Sequence, residues 1–229
     1  GVFHGVTELE PGHVRTYENG TVHDRAYWTP HYPVHGDAHS RFHGSLDDAV
    51  SEVRRAIENA TSLRMLRADV PVGSYLSGGL DSSLVAALGR RFAGDRFQTF
   101  SLRFDDAEYD ETEYQRLMVG MLGSEHHEVV VSRSDIANVF PDVIFHTERP
   151  ILRTAPAPLF LLSKLVREHG VKVVLTGEAA DEMFAGYDIF REGKVRRFWG
   201  RQPASAWRHR LLERLYPYLA RSPVSQQAM

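Results

Sequence analysis

Residues 70–83 read VPVGSYLSGGLDSS, and this stretch decides the fold class. Its first half, residues 70–76, is short, mostly apolar and bounded by turn signals, which is typical of a buried strand. The second half, residues 77–83, is rich in glycine and serine, and a helical pattern follows it at residues 84–91. The sequence therefore predicts a buried strand, a glycine-containing loop and a helix, in that order.

The same alternation of short strands and helices continues along the chain. Further strands are predicted at residues 97–103, 127–131 and 171–176, and helices at residues 112 onward and 159–169. Strands separated by helices imply a parallel sheet that is covered on both faces. We therefore expect an α/β fold with a doubly wound, Rossmann-like parallel sheet and flanking helices. Ligands of such sheets bind at the carboxyl ends of the strands, where the strand order reverses.

Residues 1–36 carry a different pattern. Two stretches of alternating polarity, residues 13–17 and 21–28, flank the Glu18-Asn19-Gly20 turn, and they predict a pair of strands. A piece of this size does not form a domain alone. We therefore treat residues 1–36 as a separate piece with a linker, and residues 37–229 as the main domain.

A long helix is predicted to begin near Ser45. Apolar residues recur there at helical spacing up to Leu63. Ser45 and Asp48 have the spacing of a capping box, in which each side chain bonds the other residue's backbone. This helix would be the first of the main domain.

Composition excludes several classes of function. The net charge of −3 gives no general field for nucleic acid or anionic membrane, and the absence of cysteine excludes disulfides and thiolate catalysis. No apolar run reaches the length of a membrane span. We therefore expect a cytoplasmic protein that acts on small molecules and binds neither nucleic acid nor membrane. Whether it forms a homodimer is left open.

The loop at residues 77–83 has the chemistry of a phosphate-binding site. Its glycines let the backbone approach a ligand closely, and the positive end of the following helix favours an anion. Asp81 lies inside this loop, where a carboxylate would repel phosphate unless a cation lies between them. That position points to Mg²⁺, which carboxylate and phosphate oxygens bind together. An ordinary serine-glycine turn would explain a lone Ser-Gly-Gly, but not this whole arrangement.

A second motif, TGEAADEMFAGY at residues 176–187, follows the last predicted strand. Acidic residues at a helix N-terminus gain from the helix dipole, so capping is an alternative explanation for any one of them. Several acids facing one crevice are harder to explain in this way. Asp181 would complete a two-carboxylate magnesium site with Asp81, and Glu178 is a candidate general base.

These two motifs resemble those of a known family. The first lacks the lysine of a Walker loop and resembles the signature of ATP pyrophosphatases, which cleave ATP between the α and β phosphates. The second resembles the G-E-G-x-D-E-x-F-G-G-Y motif of glutamine-hydrolysing asparagine synthetases. Tyr27-Trp28 and residues 146–158 also resemble segments of that family, so the resemblance covers nearly the whole chain.

The resemblance implies a fold, substrates and site residues. It implies an adenine nucleotide alpha hydrolase-like sheet, with ATP and Mg²⁺ as cofactors and aspartate and ammonia as further substrates. Glu178, Asp81 and Asp181 would be catalytic, with Asp81 and Asp181 as the metal ligands and Glu178 serving β-aspartyl-AMP. The nucleotide would be bound by Leu76, Ser77, Gly78, Gly79, Asp81, Ser82, Ser83, Leu102, Thr176 and Gly177.

The resemblance also implies a partner domain. In the family an N-terminal glutaminase domain supplies ammonia from glutamine, and residues 1–36 resemble only its trailing strands. Residues 37–229 would then be the synthetase domain. The resemblance also implies that this domain is truncated before the family's later helices. We therefore expect that this chain alone does not use glutamine.

Some residues depart from the family pattern. Ala179 and Ala185 stand where the motif has glycine, and Arg153 falls in a segment that commonly carries an aspartate. Arg153 is a candidate to bind a substrate carboxylate, with a surface ion pair as the alternative. Two other functions stay open: an amide ligase for a different carboxylate, and a degenerate ATP-binding module.

Two further patterns are set aside. Histidines recur every four residues at His31, His35, His39 and His43, but prolines and glycines among them disfavour a continuous helix, so the segment indicates a polar linker, with opportunistic metal binding as the alternative. The segment at residues 191–229 is basic with interleaved aromatics, and it predicts amphipathic helices that contact other parts of the protein.

Overall fold

A computed structural model describes residues 3–32, 41–105 and 112–216. His35, His39 and the part of the basic segment beyond residue 216 lie outside the described residues. The chain divides into two compact units. The first combines Gly1–Ala60 with Ser134–Ala157, and the second combines Thr61–Arg133 with Pro158–Met229. The predicted boundary between residues 36 and 37 lies in a part that the structure does not describe.

The first unit begins with the predicted hairpin. Strand β1 (His13–Glu18) pairs antiparallel with β2 (Thr21–Ala26), and Glu18 lies opposite Thr21 across the turn. Asn19 and Gly20 both have positive φ, as such tight turns require. The two strands and their turn are therefore as the sequence predicts.

Helix α1 (Leu46–Leu66) begins in the first unit at the predicted capping box. The Ser45 amide and hydroxyl both donate to Asp48 Oδ2, at 2.9 and 2.7 Å, and the Asp48 amide donates to Ser45 Oγ at 3.2 Å. These bonds satisfy backbone groups that a helix start otherwise leaves unpaired. They also lower the pKa of Asp48 below its usual value. The capping prediction is confirmed.

The second unit contains a parallel sheet of four strands among the described residues. The strands are β3 (Val72–Tyr75), β4 (Gln98–Phe104), β5 (Glu125–Val131) and β6 (Val173–Leu175). Their order across the sheet is β5-β4-β3-β6, and every neighbouring pair is parallel. The chain thus moves outward from β3 to β5 and then returns to the other side of β3, so the strand order reverses at β3.

Helices connect and follow these strands along the chain. They are α2 (Leu80–Ala93), α3 (Thr112–Leu122), α4 (Arg133–Thr147), α5 (Pro156–Glu168), α6 (Ala180–Phe184) and α7 (Asp188–Gly200), with 3-10 helices at Gly94–Arg96 and Arg208–Arg214. The predicted fold class, an α/β fold with a parallel sheet and flanking helices, is confirmed.

Two apolar cores lie against the sheet. In one, Phe100 of β4 packs against Leu162 and Val166 of α5. In the other, Leu76 and Phe97 pack with Ala86 of α2 and with apolar residues of α3. Phe97 and Phe100 are both fully buried. Helices therefore cover both faces of the sheet, as its parallel strands require.

Several element boundaries differ from prediction by a few residues, and two of them bear on the motifs. Strand β6 is shorter than the predicted residues 171–176, because the Val171 amide donates to Val166 O at the end of α5 and so belongs to the helix terminus. Helix α2 begins at Leu80 rather than at residue 84, since the Ser83 amide already donates to Gly79 O at 3.1 Å. Asp81 consequently lies in the first helical turn rather than in a loop.

The basic segment is helical only in part. It forms most of α7 and the 3-10 helix Arg208–Arg214, which are held together by Leu212 packed on Val195 and Trp199. Its predicted contacts with other parts of the protein are untested. Within the described residues, no helix combines the length and the apolar character that crossing a membrane requires.

Two helical glycines test the packing against the sheet. A Cβ on Gly89 of α2 would lie 2.9 Å from the buried ring of Phe97, whereas a Cβ on Gly193 of α7 would contact nothing within 4 Å. Gly193→Ala should therefore raise the free energy of unfolding by about 0.5–1 kcal/mol through helix propensity. Gly89→Ala should lower it by about 1–3 kcal/mol, because the ring has no space to move. Urea unfolding measures both, and equal effects would contradict this packing.

Candidate active site

A cavity of about 600 Å³ lies within the second unit, at the carboxyl end of the sheet. It is lined by the ends of β3 and β4, the start of α2 and the segment that follows β6. Leu159 and Leu162 of α5 and Gln115 of α3 complete the wall. This is the position where the strand order reverses and where α/β sheets bind their ligands.

The pairing of β3 with β6 brings the two sequence motifs together. Ser74 lies opposite Leu175 in the parallel register, and the buried Ser74 hydroxyl also donates to Leu175 O at 3.2 Å. Each motif follows directly after one of these strands. Residues 77–83 and 176–187 therefore emerge side by side at one end of the sheet.

Gly78 of the first motif lies where no side chain would fit. Gly78 has a φ of +86°, and a Cβ there would lie 2.9 Å from Tyr114 Cβ and 3.0 Å from the backbone nitrogen of Gln115. Only glycine combines this backbone conformation with this close approach at low cost. Gly78 is not among the residues that line the cavity, and its conformation shapes the loop.

Serine hydroxyls hold the same loop closed. Ser77 Oγ and Ser82 Oγ lie 2.8 Å apart, and Ser82 Oγ accepts from the Ser77 amide at 3.2 Å. The Gly79 amide donates to Ser77 Oγ at 3.3 Å, and the Ser82 hydroxyl donates to Gly79 O at 3.2 Å. Ser77 and Ser82 thus bond the loop itself, and a phosphate would have to exchange with these bonds.

The second motif lies directly on the first. A Cβ on Gly177 would come within 2.8 Å of both Asp81 Cβ and the Ser82 amide nitrogen. No side chain fits between these segments, so glycine is required here for close approach rather than for its φ. Asp181 likewise contacts Gly186, where a Cβ would overlap its carboxylate. The two glycines let the segment fold tightly around the acidic residues.

The charged side chains that the described residues place on the cavity wall are all acidic. Four carboxylates line it, from Asp81, Glu178, Asp181 and Glu182, and no lysine, arginine or histidine of residues 3–32, 41–105 or 112–216 is among the lining residues. Glu182 accepts a hydrogen bond from the Tyr187 hydroxyl at 3.2 Å, which raises the pKa of that tyrosine above its usual value. Such a wall repels a bare anion and attracts a cation.

A bound Mg²⁺ fits this wall. Mg²⁺ usually takes one or two carboxylates and completes its shell with water and phosphate oxygens. Asp81 and Asp181 are both half-buried and line the same cavity. In the described ranges, no three His, Cys, Asp or Glu side chains converge on one metal position. The protein alone therefore offers a partial ligand set, which a ligand with phosphate oxygens would complete.

Buried polar groups support the cavity floor from β4 and β5. Ser101 lines the cavity, and its hydroxyl lies 3.1 Å from His126 Nε2. Thr99 Oγ1 lies 3.0 Å from the other ring nitrogen, His126 Nδ1. Burial lowers the pKa of His126 below its usual value, with smaller opposing effects from Glu128. The imidazole therefore lies between two hydroxyls in surroundings that disfavour its charged form, and the sequence analysis did not identify it.

The structure collects most of the sequence-predicted site residues in this cavity. Those lining it are Leu76, Ser77, Gly79, Asp81, Ser82, Leu102, Thr176, Gly177, Glu178 and Asp181. Ser83 is buried on α2 and does not line the cavity. Arg153 is exposed and belongs to the first unit, before α5. The sequence analysis also missed Gln115, whose position in an amphipathic helix gave no signal of a site.

Both alanines that depart from the family motif lie in the left-handed region. Ala179 has a φ of 72° and Ala185 a φ of 58°, on either side of helix α6. This conformation costs a residue with a Cβ about 1–2 kcal/mol. The glycine of the family motif would avoid that cost, so each alanine places strain next to Glu178 or Asp181.

Replacing these alanines by glycine should stabilise the protein. Ala179→Gly and Ala185→Gly should each raise the free energy of unfolding by about 0.5–1 kcal/mol, as the relieved strain exceeds the added chain entropy. Ala180→Gly is the matched control. Because Ala180 is helical, this substitution should lower the free energy of unfolding by about 0.5–1 kcal/mol. Urea unfolding of the three variants distinguishes strain from flexibility. Destabilisation at all three positions would contradict the left-handed assignment.

The sequence matches a known family model. Residues 52–229 match the model described as Asparagine synthase. Among curated proteins, asparagine synthetase [glutamine-hydrolyzing] 1 of Bacillus subtilis is 34% identical over 189 residues, covering 82% of this chain and 28% of that protein. Amidase chyE of Penicillium rubens is 35% identical over 204 residues, covering 82% of this chain and 30% of that protein. The chain thus spans under a third of the length of these relatives.

Solved structures give a weaker likeness. A glutamine-dependent NAD+ synthetase from Acinetobacter baumannii in complex with ADP is 22% identical, with a TM-score of 0.45, over 60% of this chain and 27% of that one. An NH3-dependent NAD synthetase from Campylobacter jejuni is 17% identical, with a TM-score of 0.40, over 60% of each chain. The family assignment rests on the sequence matches, and by these the chain belongs to the asparagine synthase family.

Proposed function

We propose that this cavity binds ATP with Mg²⁺ and activates a carboxylate for amide formation, with aspartate as the acid and asparagine as the product. The observation that carries the proposal is the pairing of β3 with β6, which places a glycine-serine loop and four carboxylates in one cavity. The loop provides backbone groups for phosphate. The carboxylates make sense beside a polyanion only when a cation lies between them.

The negative wall is the strongest argument for a metal-nucleotide complex. ATP alone would meet Asp81 and Asp181 without any basic side chain of the described residues on the cavity wall to offset them. Asp81 and Asp181 would hold a Mg²⁺ ion, which would supply positive charge to the phosphates. The nucleoside would lie toward Leu76 and Leu102, at the ends of β3 and β4.

The proposed reaction has two steps. In the first, an aspartate carboxylate oxygen bonds the α-phosphorus, the bond from that phosphorus to the bridging oxygen breaks, and pyrophosphate leaves. In the second, ammonia bonds the β-aspartyl carbon, AMP leaves, and the nitrogen loses a proton. Glu178 lines the cavity and is exposed to it, so it is placed to accept that proton. The wall contributes mainly positioning of the reacting groups.

Ammonia would come from elsewhere in a longer protein. Curated relatives are named glutamine-hydrolyzing, and this chain spans less than a third of their length. We propose that an N-terminal glutaminase domain supplies ammonia and that residues 1–36 are its trailing part. On this proposal the chain itself uses free ammonia and not glutamine.

The metal-binding proposal predicts a specific loss. Asp81→Asn and Asp181→Asn should each lower ATP affinity in the presence of Mg²⁺ at least about tenfold, since a metal ligand is removed. Calorimetry with ATP and Mg²⁺, and with ATP alone, measures this. Glu168→Gln, at an exposed ion pair with Lys164 on α5, is the charge-matched control and should bind as the wild type does. ATP binding that needs no Mg²⁺ and survives both substitutions would indicate a degenerate nucleotide-binding module instead.

A related amide ligase is the second candidate function. The amidase chyE match is as strong in identity and coverage as the match to the Bacillus subtilis synthetase. The alanines at positions 179 and 185 also alter the backbone beside Glu178 and Asp181. Both observations favour an acid other than aspartate as an alternative substrate for the same chemistry.

A screen of carboxylic acids distinguishes the two functions. Release of pyrophosphate and AMP is measured with ATP, Mg²⁺, ammonia and one acid at a time. Aspartate should support release that Glu178→Gln lowers at least about a hundredfold, the typical contribution of a positioned base. If aspartate is inert and another acid supports release, the related ligase is the correct assignment. Glutamine in place of ammonia should give no amide with this chain.

A further inference from the structure

Gln115 of α3 is an unusual residue in the wall of this cavity. Its side chain is 4% exposed, and its Nε2 donates to Ser77 O at 3.3 Å and to Leu102 O at 3.2 Å. One acceptor belongs to the first residue of the glycine-serine loop, and the other belongs to the end of β4. A single amide group therefore joins the two segments between which the nucleotide would lie.

The orientation of this amide follows from its partners. Both neighbours are carbonyl oxygens, which accept hydrogen bonds only, so the NH₂ group must face them. Both of its N–H bonds are then used. The Gln115 Oε1 atom is buried and makes no hydrogen bond within the described residues. Burying an unpaired acceptor costs stability, so glutamine is a costly choice if the position only fills space.

The helix that carries Gln115 also lies close to the loop backbone. A Cβ on Gly78 would lie 3.0 Å from the backbone nitrogen of Gln115, so the loop passes directly over the start of α3. The Ser77 carbonyl points at the Gln115 side chain, while the loop serines bond one another. The loop is thus fixed from within by serines and from outside by Gln115.

We propose that Gln115 is a positioning residue for nucleotide binding, which clamps the phosphate loop at Ser77 to the nucleoside end of β4 at Leu102. The clamp fixes the distance between the segments that would take the phosphates and the base. It rests on the proposed function for its nucleotide, but the clamp itself exists without one. It would raise nucleotide affinity by fixing the loop in one conformation before the ligand binds.

A matched pair of glutamines provides the first test. Gln98 is the first residue of the same strand β4; its Nε2 donates to Glu125 at 3.4 Å, its Oε1 is buried and unpaired within the described residues, and it does not line the cavity. Gln115→Met should weaken ATP binding about tenfold, the size expected for two lost hydrogen bonds. Gln98→Met should leave affinity unchanged. The proposal would be overturned if neither variant weakened ATP binding, or if both variants weakened it equally.

Gln115→Glu tests the direction of the hydrogen bonds. At about pH 8 its carboxylate would face two carbonyl oxygens and should weaken ATP binding more than Gln115→Met does. At about pH 5.5 the carboxyl group, whose pKa burial and the carbonyls raise, becomes protonated and regains one donor. Affinity relative to wild type should then recover at least about threefold in the same folded sample. A ratio that does not change with pH would contradict the clamp.

Hydrogen exchange separates a failure of the clamp from a failure of the proposed function. Without nucleotide, the backbone amides of residues 77–83 should exchange several-fold faster in Gln115→Met than in wild type or Gln98→Met. If ATP does not bind the wild type, the proposed function fails, but this measurement still tests the clamp. Unchanged exchange in Gln115→Met would overturn the clamp whatever binds in the cavity.

Discussion

The parallel pairing of β3 with β6 is the interaction on which the site depends. Ser74 and Leu175 are opposite in register, and a buried hydroxyl-carbonyl bond joins the same two residues. About a hundred residues separate these strands in the chain, yet their carboxyl ends meet. Every contact between the two motifs, including that of Gly177 with Asp81, follows from this pairing.

Charge is the second constraint on this cavity. Backbone groups of the loop and the start of α2 favour an anion, whereas the wall side chains of the described residues are all neutral or acidic. The close fit of Gly177 and Gly186 against the acidic residues leaves little freedom for those carboxylates to move apart. The proposed metal-bound nucleotide would satisfy both preferences, because it carries its own cation.

Several features were predictable because their signals are local. The turn at Asn19-Gly20, the capping box at Ser45 and Asp48, and the strand-loop-helix order at residues 70–83 depend on neighbours in sequence. Other features were not predictable from local pattern. Val171 bonds the end of α5 instead of extending β6, and Ser83 does not line the cavity. Gln115 donates to two carbonyl oxygens that are distant from it in sequence. Each of these features depends on contacts with residues far away in the chain.

The fold class, the two motifs and the family could be inferred from the amino-acid sequence, because strand-helix periodicity and glycine-acid spacing are properties of consecutive residues. Which of those residues share a cavity depends on the folded chain. The fold also places Ala179 and Ala185 in a left-handed conformation and His126 between two hydroxyls. Backbone angles and burial arise from contacts between segments far apart in the chain, so no stretch of sequence records them alone.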